Sequence, residues 1–240
     1  AYKGLREDKP PGEVVVEYVR PTGEEPRKLP NVIVSPSASK DPRVMNVAIS
    51  HPEKELWPEA GGDKAVTKLD LARYYETVGN DLLAYIKGRP CSIIRAPDGI
   101  TGQQFFQRHE MAGMAKSITL VKVRGDKRPY MQFDSVEAII AAAQIAALEF
   151  HPTNCEPDDP ETPGRLVFDL DPAPDVAFDD VIDAARELKE RLEAIGLVPF
   201  CKTTGGKGLH VVTPFAKTKS KLEWPEAKDF ALEICKRMSA

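Results

Sequence analysis

Cysteine pairs and long apolar runs are both missing from this sequence. The four cysteines are scattered and no CxxC pair occurs, so the sequence indicates neither a zinc site nor a disulfide framework. No apolar run approaches the ~20 residues of a membrane span, and no signal peptide opens the chain. We therefore expect a soluble protein of a bacterial-type cytoplasm, with reduced thiols and no membrane partner.

The formal net charge of −4 hides a strong asymmetry along the chain. Residues 134–200 carry 4 Lys or Arg against 16 Asp or Glu. The flanking segments are basic, with 13 against 10 in residues 50–133 and 8 against 4 in residues 201–240. Because basic patches set the local electrostatic field, the overall acidity does not exclude a partner that bears phosphate.

The stretch that organises the chain is residues 165–171, Arg-Leu-Val-Phe-Asp-Leu-Asp. Alternation along a strand sends its leucine and phenylalanine side chains to one face, and Asp169 and Asp171 to the other. Pro172 then ends the strand. Two carboxylates this close are unfavourable unless a cation lies between them, and oxygen ligands suit a hard divalent metal. The pattern favours a metal site over a pair of solvated aspartates.

A glycine-rich stretch, Thr-Thr-Gly-Gly-Lys-Gly-Leu-His at residues 203–210, follows the aspartate strand after one predicted helix. It is not a Walker A loop, because Cys201 stands where the first glycine belongs and a glycine follows the lysine. Its glycines still let backbone amides approach phosphate oxygens, and Thr204, Lys207 and His210 add donors. A glycine-rich hairpin with a packed histidine is the alternative. Together with the aspartates, the loop predicts a metal–triphosphate site and a nucleotidyl transferase.

Lysines and aromatic residues form a second group of candidates. Lys54, Lys64 and Lys68 lie in or beside a predicted loop before a helix N-terminus, where donors gather for a phosphate. A scatter of solvated lysines is the alternative interpretation. Phe105 and Phe106 are adjacent, so on a strand they point to opposite faces and one of them can stack on a base. Placement of both rings in the core is the alternative.

Apolar periodicity predicts four helices, at about 67–88, 134–149, 178–195 and from 224 onward. Strands are predicted at 92–95, 118–123, 198–202 and 210–213, in addition to the aspartate strand. His151 follows the second helix, as a capping or core histidine by pattern alone. Residues 1–45 differ from the rest, because the five prolines between residues 21 and 42, among Ser, Lys and Glu, indicate a linker. A folded N-terminal subdomain is the alternative there.

These features together resemble the polymerase domain of bacterial ligase D, a member of the archaeo-eukaryotic primase superfamily. The resembling segments are residues 51–58, 67–75, 88–90, 95–100, 105–109, 149–152, 168–172 and 206–210. Residues 3–9 and the valines after them look like the end of a bacterial ATP-dependent DNA ligase domain. The resemblance therefore implies two parts: residues 1–45, the end of a ligase domain and a linker, and residues 46–240, a primase-polymerase domain.

The resemblance implies an α/β (α+β) fold, in which a primase-type palm with an RNA-recognition-like sheet joins an N-terminal α/β layer. It also implies addition of ribo- or deoxyribonucleotides to broken DNA ends and gaps during non-homologous end joining near the bacterial nucleoid. The implied cofactor is Mn²⁺ or Mg²⁺. The implied partners are DNA ends with a 5′-phosphate, Ku, and a ligase domain in the same parent chain.

Individual roles follow from the resemblance position by position. Asp169 and Asp171 match the metal-binding pair, His151 matches a histidine near the metals and the nucleotide, and the loop matches the triphosphate site with Thr204, Lys207 and His210. The family's third catalytic carboxylate would lie beyond residue 240. The resemblance thus implies that residues 1–240 alone are inactive or nearly so, with a palm sheet that lacks a strand.

The remaining matches concern DNA. Lys54 and Lys68 match lysines that hold the 5′-phosphate across a gap, and Lys64 could share or replace the role of Lys68. Phe105 and Phe106 match rings that stack on the template.

Two rival functions remain open at the level of sequence. The chain could serve only as a docking module for DNA ends, through its lysines and paired phenylalanines. It could also be a phosphohydrolase with Asp169 as nucleophile, since an Asp-x-Asp after an apolar strand occurs in haloacid-dehalogenase-type phosphatases. Those enzymes want Thr or Val two residues past the second Asp, where this chain has Ala173.

Overall fold

A computed structural model describes residues 42–58, 64–205, 207–216 and 222–238. Within them the chain divides into two compact units. The N-terminal unit comprises residues 42–122 and 126–152, and the C-terminal unit comprises residues 123–125 and 153–238. The predicted ligase tail and linker lie almost entirely outside the described residues and stay a prediction.

The N-terminal unit is built on an antiparallel sheet with two helices that pack on each other. Its elements are β1 (Arg43–Val44), β2 (Val47–Ala48), β3 (Glu55–Trp57), β4 (Val66–Thr67), α1 (Lys68–Ile86), β5 (Pro90–Arg95), β6 (Phe105–Gln107), β7 (Thr119–Val121), β8 (Tyr130–Gln132), α2 (Val136–Gln144) and β9 (Ala147–Pro152). The main sheet has the order β6-β5-β8-β7, and β9 also pairs with β5. β1 pairs with β2 and β3 pairs with β4, each as a two-stranded sheet.

The first helix begins and ends where the sequence predicts. Thr67 is the N-cap, and its hydroxyl and the Asp70 carboxylate form a reciprocal capping box. The apolar face of α1 packs closely on α2. At Gly79 the two helices are so close that an added Cβ would lie 2.7 Å from a methyl group of Val136. The phenol of Tyr75 is buried in this core and donates a hydrogen bond of 2.7 Å to the carbonyl of Ala147. Burial raises the pKa of Tyr75.

The second helix is shorter than the predicted 134–149 segment. α2 starts after Ser135, whose hydroxyl caps Ala138, and the chain leaves the helix after Gln144. Residues 147–152 instead form strand β9, which pairs along β5. The prediction that a helix continues to Glu149 is therefore wrong, because tertiary pairing with β5 outweighs the helix propensity of an alanine-rich segment.

The C-terminal unit is a three-stranded antiparallel sheet with two helices. Its elements are β10 (Cys155–Glu156), β11 (Asp159–Pro163), β12 (Arg165–Leu170), α3 (Phe178–Ala194), β13 (Phe200–Thr203), β14 (Leu209–Pro214) and α4 (Trp224–Met238). The sheet order is β12-β14-β13, and β10 pairs with β11 as a separate hairpin. Both units combine helices with antiparallel strands, so the predicted α/β class is confirmed. None of the described helices combines the length and apolar composition of a membrane span.

The aspartate strand β12 is anchored by its apolar face. Leu166 and Phe168 are buried and join a core cluster with side chains of α3, β14 and α4, such as Leu188 and Val211. Asp169, between the apolar positions, is exposed. The alternation predicted from the sequence is thus observed, and burial of one face of β12 fixes which face carries the carboxylate.

Candidate functional site

The aspartate strand and the glycine–lysine–histidine loop lie side by side in the C-terminal unit. β12 and β14 are antiparallel, and their register puts Asp169 directly opposite His210. Oδ1 of Asp169 lies 3.3 Å from Nε2 of His210, and Oδ1 of Asp171 lies 3.6 Å from Nζ of Lys207. Both acids therefore face the loop, each next to one potentially cationic group.

The two carboxylates are open to solvent. The exposed fraction of the side chain is 64% for Asp169 and 66% for Asp171. Lys207 also donates to the carbonyl of Pro172, so its ammonium group lies over the end of β12. A metal ion that bound the carboxylates would replace these contacts and leave Lys207 and His210 beside whatever the metal carried.

The loop between β13 and β14 is held in a compact shape by its own contacts. The hydroxyl of Thr204 donates a hydrogen bond of 3.1 Å to the carbonyl of Gly208. Gly205 has a φ of +81°, a left-handed conformation that glycine adopts without steric cost. At Gly208 the loop comes so close to β12 that an added Cβ would lie 2.6 Å from the carbonyl oxygen of Leu170.

Replacement of Gly208 by alanine is expected to push the loop away from the aspartates. The new methyl group would meet backbone rather than a movable side chain, so the free energy of unfolding should fall by about 1–3 kcal/mol. Affinity for a nucleoside triphosphate with Mn²⁺ should fall as well. Thermal unfolding and nucleotide titration of Gly208→Ala measure both effects. Unchanged stability together with unchanged affinity would contradict a need for this close approach.

The residues present fit part of a divalent-metal site. Two adjacent carboxylates supply hard oxygen ligands, and Mg²⁺ commonly binds proteins through one or two carboxylates plus water and substrate phosphates. Within the described residues, no group of three acidic, histidine or cysteine side chains is placed to hold a metal. Asp169 and Asp171 would therefore hold an ion together with the phosphates of a nucleotide, and they remain the predicted ligands.

Two of the three candidate lysines come together in the N-terminal unit. Nζ of Lys68 donates a hydrogen bond of 2.6 Å to the carbonyl of Ser50, and Lys54 forms an ion pair of 3.3 Å with Asp98. Burial, and then the positive charge of Lys54, lower the pKa of Lys68. Lys64 is exposed. An anion beside Lys54 and Lys68 would relieve the repulsion between their ammonium groups.

The N-terminus of α1 does not offer free donors, contrary to the expectation from sequence. The amide of Lys68 donates to the carbonyl of Lys54 at 2.8 Å, and the amide of Leu69 donates to Pro52 at 3.1 Å. The amide of Asp70 donates to the Thr67 hydroxyl. Because these three amides are satisfied within the chain, a phosphate near this loop would be bound by lysine side chains.

The adjacent phenylalanines point to opposite faces of β6. Phe105 is half-buried, with the guanidinium carbon of Arg95 4.9 Å from its ring centroid. Phe106 is 57% exposed, and the guanidinium of Arg108 lies 5.5 Å from its ring centroid. Phe106 is therefore the more accessible of the two rings for a stacked base, and a stacking role for Phe105 stays a prediction.

His151 lies in β9 of the N-terminal unit, on the same sheet as Phe106. The two ring centroids are 6.0 Å apart. Nε2 of His151 lies 2.8 Å from a carboxylate oxygen of Glu149, two residues earlier on the same strand. This contact orients the imidazole and favours Nδ1 as the nitrogen that meets a ligand. The sequence prediction missed Glu149 as a partner, because it placed Glu149 in a helix; strand alternation would have put both side chains on one face.

Comparisons with known sequences agree on one family. A family model described as LigD, primase-polymerase domain, matches residues 67–240. The multifunctional non-homologous end joining protein LigD of Pseudomonas aeruginosa is 34% identical over 240 residues, which are 99% of this chain and 27% of that protein. The corresponding LigD repair protein of Mycobacterium tuberculosis is 34% identical over 203 residues, 80% of this chain and 25% of that protein. The chain spans about a quarter of the length of these curated relatives.

A solved structure gives the same result for the fold. The polymerase domain from Mycobacterium tuberculosis ligase D in complex with DNA aligns with a TM-score of 0.69 and 32% sequence identity. The alignment covers 80% of this chain and 68% of that chain. The mixed α/β architecture with its curled antiparallel sheet therefore matches a ligase D polymerase domain, and both the predicted fold and the predicted resemblance are confirmed.

Proposed function

Because the chain belongs to the family of LigD primase-polymerase domains, we propose that it is the nucleotidyl-transferring part of an end-joining DNA ligase. It adds ribo- or deoxyribonucleotides to the 3′-hydroxyl of broken DNA ends and gaps. The observation that carries the proposal is the juxtaposition of two exposed carboxylates, Asp169 in β12 and Asp171 just after it, with His210 and Lys207. A pair of solvated aspartates would not need a cationic, glycine-rich loop beside it.

The proposed reaction joins the 3′-oxygen of the DNA end to the α-phosphorus of the nucleotide while the bond to pyrophosphate breaks. Asp169 and Asp171 hold Mn²⁺ or Mg²⁺, which when bound would activate the 3′-hydroxyl and neutralise phosphate charge. Lys207 and His210 contact the phosphates and stabilise the charge that develops on the departing pyrophosphate. Thr204 holds the loop through its hydrogen bond to the carbonyl of Gly208, and the backbone amides of such a glycine-rich loop bind phosphate oxygens.

The N-terminal unit is proposed to hold the DNA end. Lys54 and Lys68 bind the 5′-phosphate on the far side of a gap, with Lys64 as an outer contact. Phe106 stacks on a template base, assisted by Arg108 over the same ring. His151, oriented by Glu149, contacts the incoming nucleotide. The DNA in the neighbouring ligase D structure supports this part of the proposal.

The partners and the setting are proposed from the same family membership. The relatives are named as multifunctional or bifunctional end-joining proteins, so we propose a ligase domain in the same parent chain. Ku is proposed to bring the protein to broken ends in the bacterial nucleoid. Manganese is proposed as the preferred ion, with ribonucleotides as the preferred substrates.

Primer extension on a gapped duplex tests the function. A longer polypeptide that continues past residue 240 should extend the primer with ribonucleotides and Mn²⁺, and should do so better when the gap carries a 5′-phosphate. The absence of incorporation by the longer polypeptide on any gapped or blunt end would contradict the proposal.

A second candidate function is a DNA-end docking module without catalysis. The neighbouring Lys54 and Lys68 and the exposed Phe106 favour it, because binding of a phosphate by lysines and of a base by a phenylalanine ring would need no metal. Binding of DNA ends that requires a 5′-phosphate and weakens with salt, but does not respond to nucleotide or Mn²⁺, would support docking over catalysis.

A further inference from the structure

One lysine on the sheet of the C-terminal unit has no place yet in the proposed site. Lys202 of β13 lies directly opposite His210 of β14, and His210 lies directly opposite Asp169 of β12. Directly paired side chains point to the same face of a sheet, with Cβ atoms about 4.5–5.5 Å apart. Asp169, His210 and Lys202 therefore form one row across three strands, on the face that carries the carboxylates.

Lys202 differs in its contacts from His210 and Lys207, the two other basic side chains near the aspartates. His210 and Lys207 are each paired with one of the aspartates. The Lys202 side chain is exposed, and the described part of the chain shows it in no ion pair or side-chain hydrogen bond. An anion can therefore reach Lys202 without first breaking a contact inside the protein.

The position of Lys202 determines which phosphates of a bound nucleotide this side chain can contact. His210 separates Lys202 from Asp169, so Lys202 lies on the side of the row that is farther from the predicted metal ligands. A nucleoside triphosphate is an extended anion, and its α-phosphate must lie at the metals for transfer to occur. The β- and γ-phosphates then extend away from the carboxylates, and a flexible ammonium group suits such terminal oxygens.

We propose that Lys202 contacts the terminal phosphates of the bound nucleotide and makes the site selective for triphosphates over shorter phosphate chains. This proposal rests on the proposed function and adds a residue to it. Lys202 acts as a binding residue: it increases the affinity for the triphosphate before the reaction and helps to hold pyrophosphate after transfer. The loss of Lys202 should therefore affect KM for the nucleotide more than kcat.

Equilibrium titration of ATP, ADP and AMP in Mn²⁺ tests the assignment. Lys202→Ala should bind ATP about tenfold more weakly than the unaltered protein, as expected for the loss of one charge-assisted contact. Its affinity for ADP should fall less, and its affinity for AMP should not change. Lys202→Arg should restore most of the ATP affinity. Lys228→Ala, which removes an exposed lysine of α4, is the charge-matched control and should leave all three affinities unchanged.

The outcomes separate this proposal from the function on which it rests. If the unaltered protein binds ATP and His210→Ala weakens it, but Lys202→Ala does not, the assignment of Lys202 is wrong and the proposed function stands. Equal weakening of ATP, ADP and AMP by Lys202→Ala would also overturn the assignment, because it would indicate a general disturbance of the loop. If the unaltered protein does not bind ATP in Mn²⁺, both proposals fail together.

Discussion

Replacement of Asp169 by asparagine is expected to lower nucleotide incorporation by about a thousandfold, or about 4 kcal/mol of transition-state stabilisation. Asparagine keeps the shape of the side chain but removes the negative charge that would hold the metal. The rate is measured as single-turnover primer extension on a gapped duplex, with a polypeptide that continues past residue 240. Asp171→Asn should have a comparable effect, since both carboxylates face the same loop.

Stability should not explain this loss. Asp169 is largely exposed, so its neutralisation leaves no buried group without a partner. Asp175→Asn is a matched control, because Asp175 is another exposed acid shortly after β12, and it should leave the rate unchanged. Incorporation by Asp169→Asn within tenfold of the unaltered rate, at saturating Mn²⁺, would show that the pair does not hold the catalytic metal.

Replacement of Lys68 by methionine is expected to remove most of the preference for gaps that carry a 5′-phosphate. Lys68 is nearly buried, with its ammonium group next to the Ser50 carbonyl and near Lys54. The Lys68 ammonium group has lost much of its hydration, and a bound phosphate would compensate with a charge-assisted hydrogen bond. Loss of this ammonium group in Lys68→Met should therefore lower the affinity for phosphorylated ends about tenfold or more. Fluorescence anisotropy with phosphorylated and unphosphorylated gaps measures the ratio. Lys87→Met, at the far end of α1, is the charge-matched control.

The same lysine predicts a pH dependence with a defined sign. The pKa of Lys68 is lowered from 10.5, so its proton is lost at a lower pH than that of an ordinary lysine. Preference for the 5′-phosphate should be complete below this lowered pKa and should fall as pH rises through it. Lys68→Arg, which stays charged, should abolish the fall.

The free energy of unfolding should rise with pH where the preference for the 5′-phosphate falls. Between the lowered pKa of Lys68 and 10.5 the unfolded chain binds more protons at this position than the native protein. The free energy of unfolding should therefore rise with pH across this window, and the rise should be smaller in Lys68→Met. A preference for phosphorylated gaps that does not change in Lys68→Met, at any pH, would rule out the role proposed for Lys68.

The parts of the site that could be predicted from sequence are those set by local periodicity. Alternation along β12 placed Asp169 on the face opposite Phe168, and the short segment between two strand patterns placed Lys207 and His210 on a hairpin. Burial of the apolar face of β12 fixes that arrangement, so the local sequence pattern was enough to predict it.

The parts that could not be predicted depend on contacts distant in sequence. The pairing of β9 with β5 turned a predicted helical segment into a strand and brought Glu149 to His151. The satisfied amides at the start of α1 depend on where residues 52–54 pass in space. The row that includes Lys202 depends on strand register, which turn length sets and composition does not reveal.

The most direct test of the central claim is a Mn²⁺ titration followed by electron paramagnetic resonance, with and without ATP. Because ATP itself binds Mn²⁺, the reference is the Mn²⁺ bound by ATP alone plus that bound by the protein alone. We expect the unaltered protein with ATP to bind more Mn²⁺ than this sum, because the carboxylates and the nucleotide phosphates would share the ion. In a protein with both Asp169→Asn and Asp171→Asn, this excess should disappear while thermal unfolding stays unchanged. Equal ATP-dependent Mn²⁺ binding by the two proteins would contradict the account.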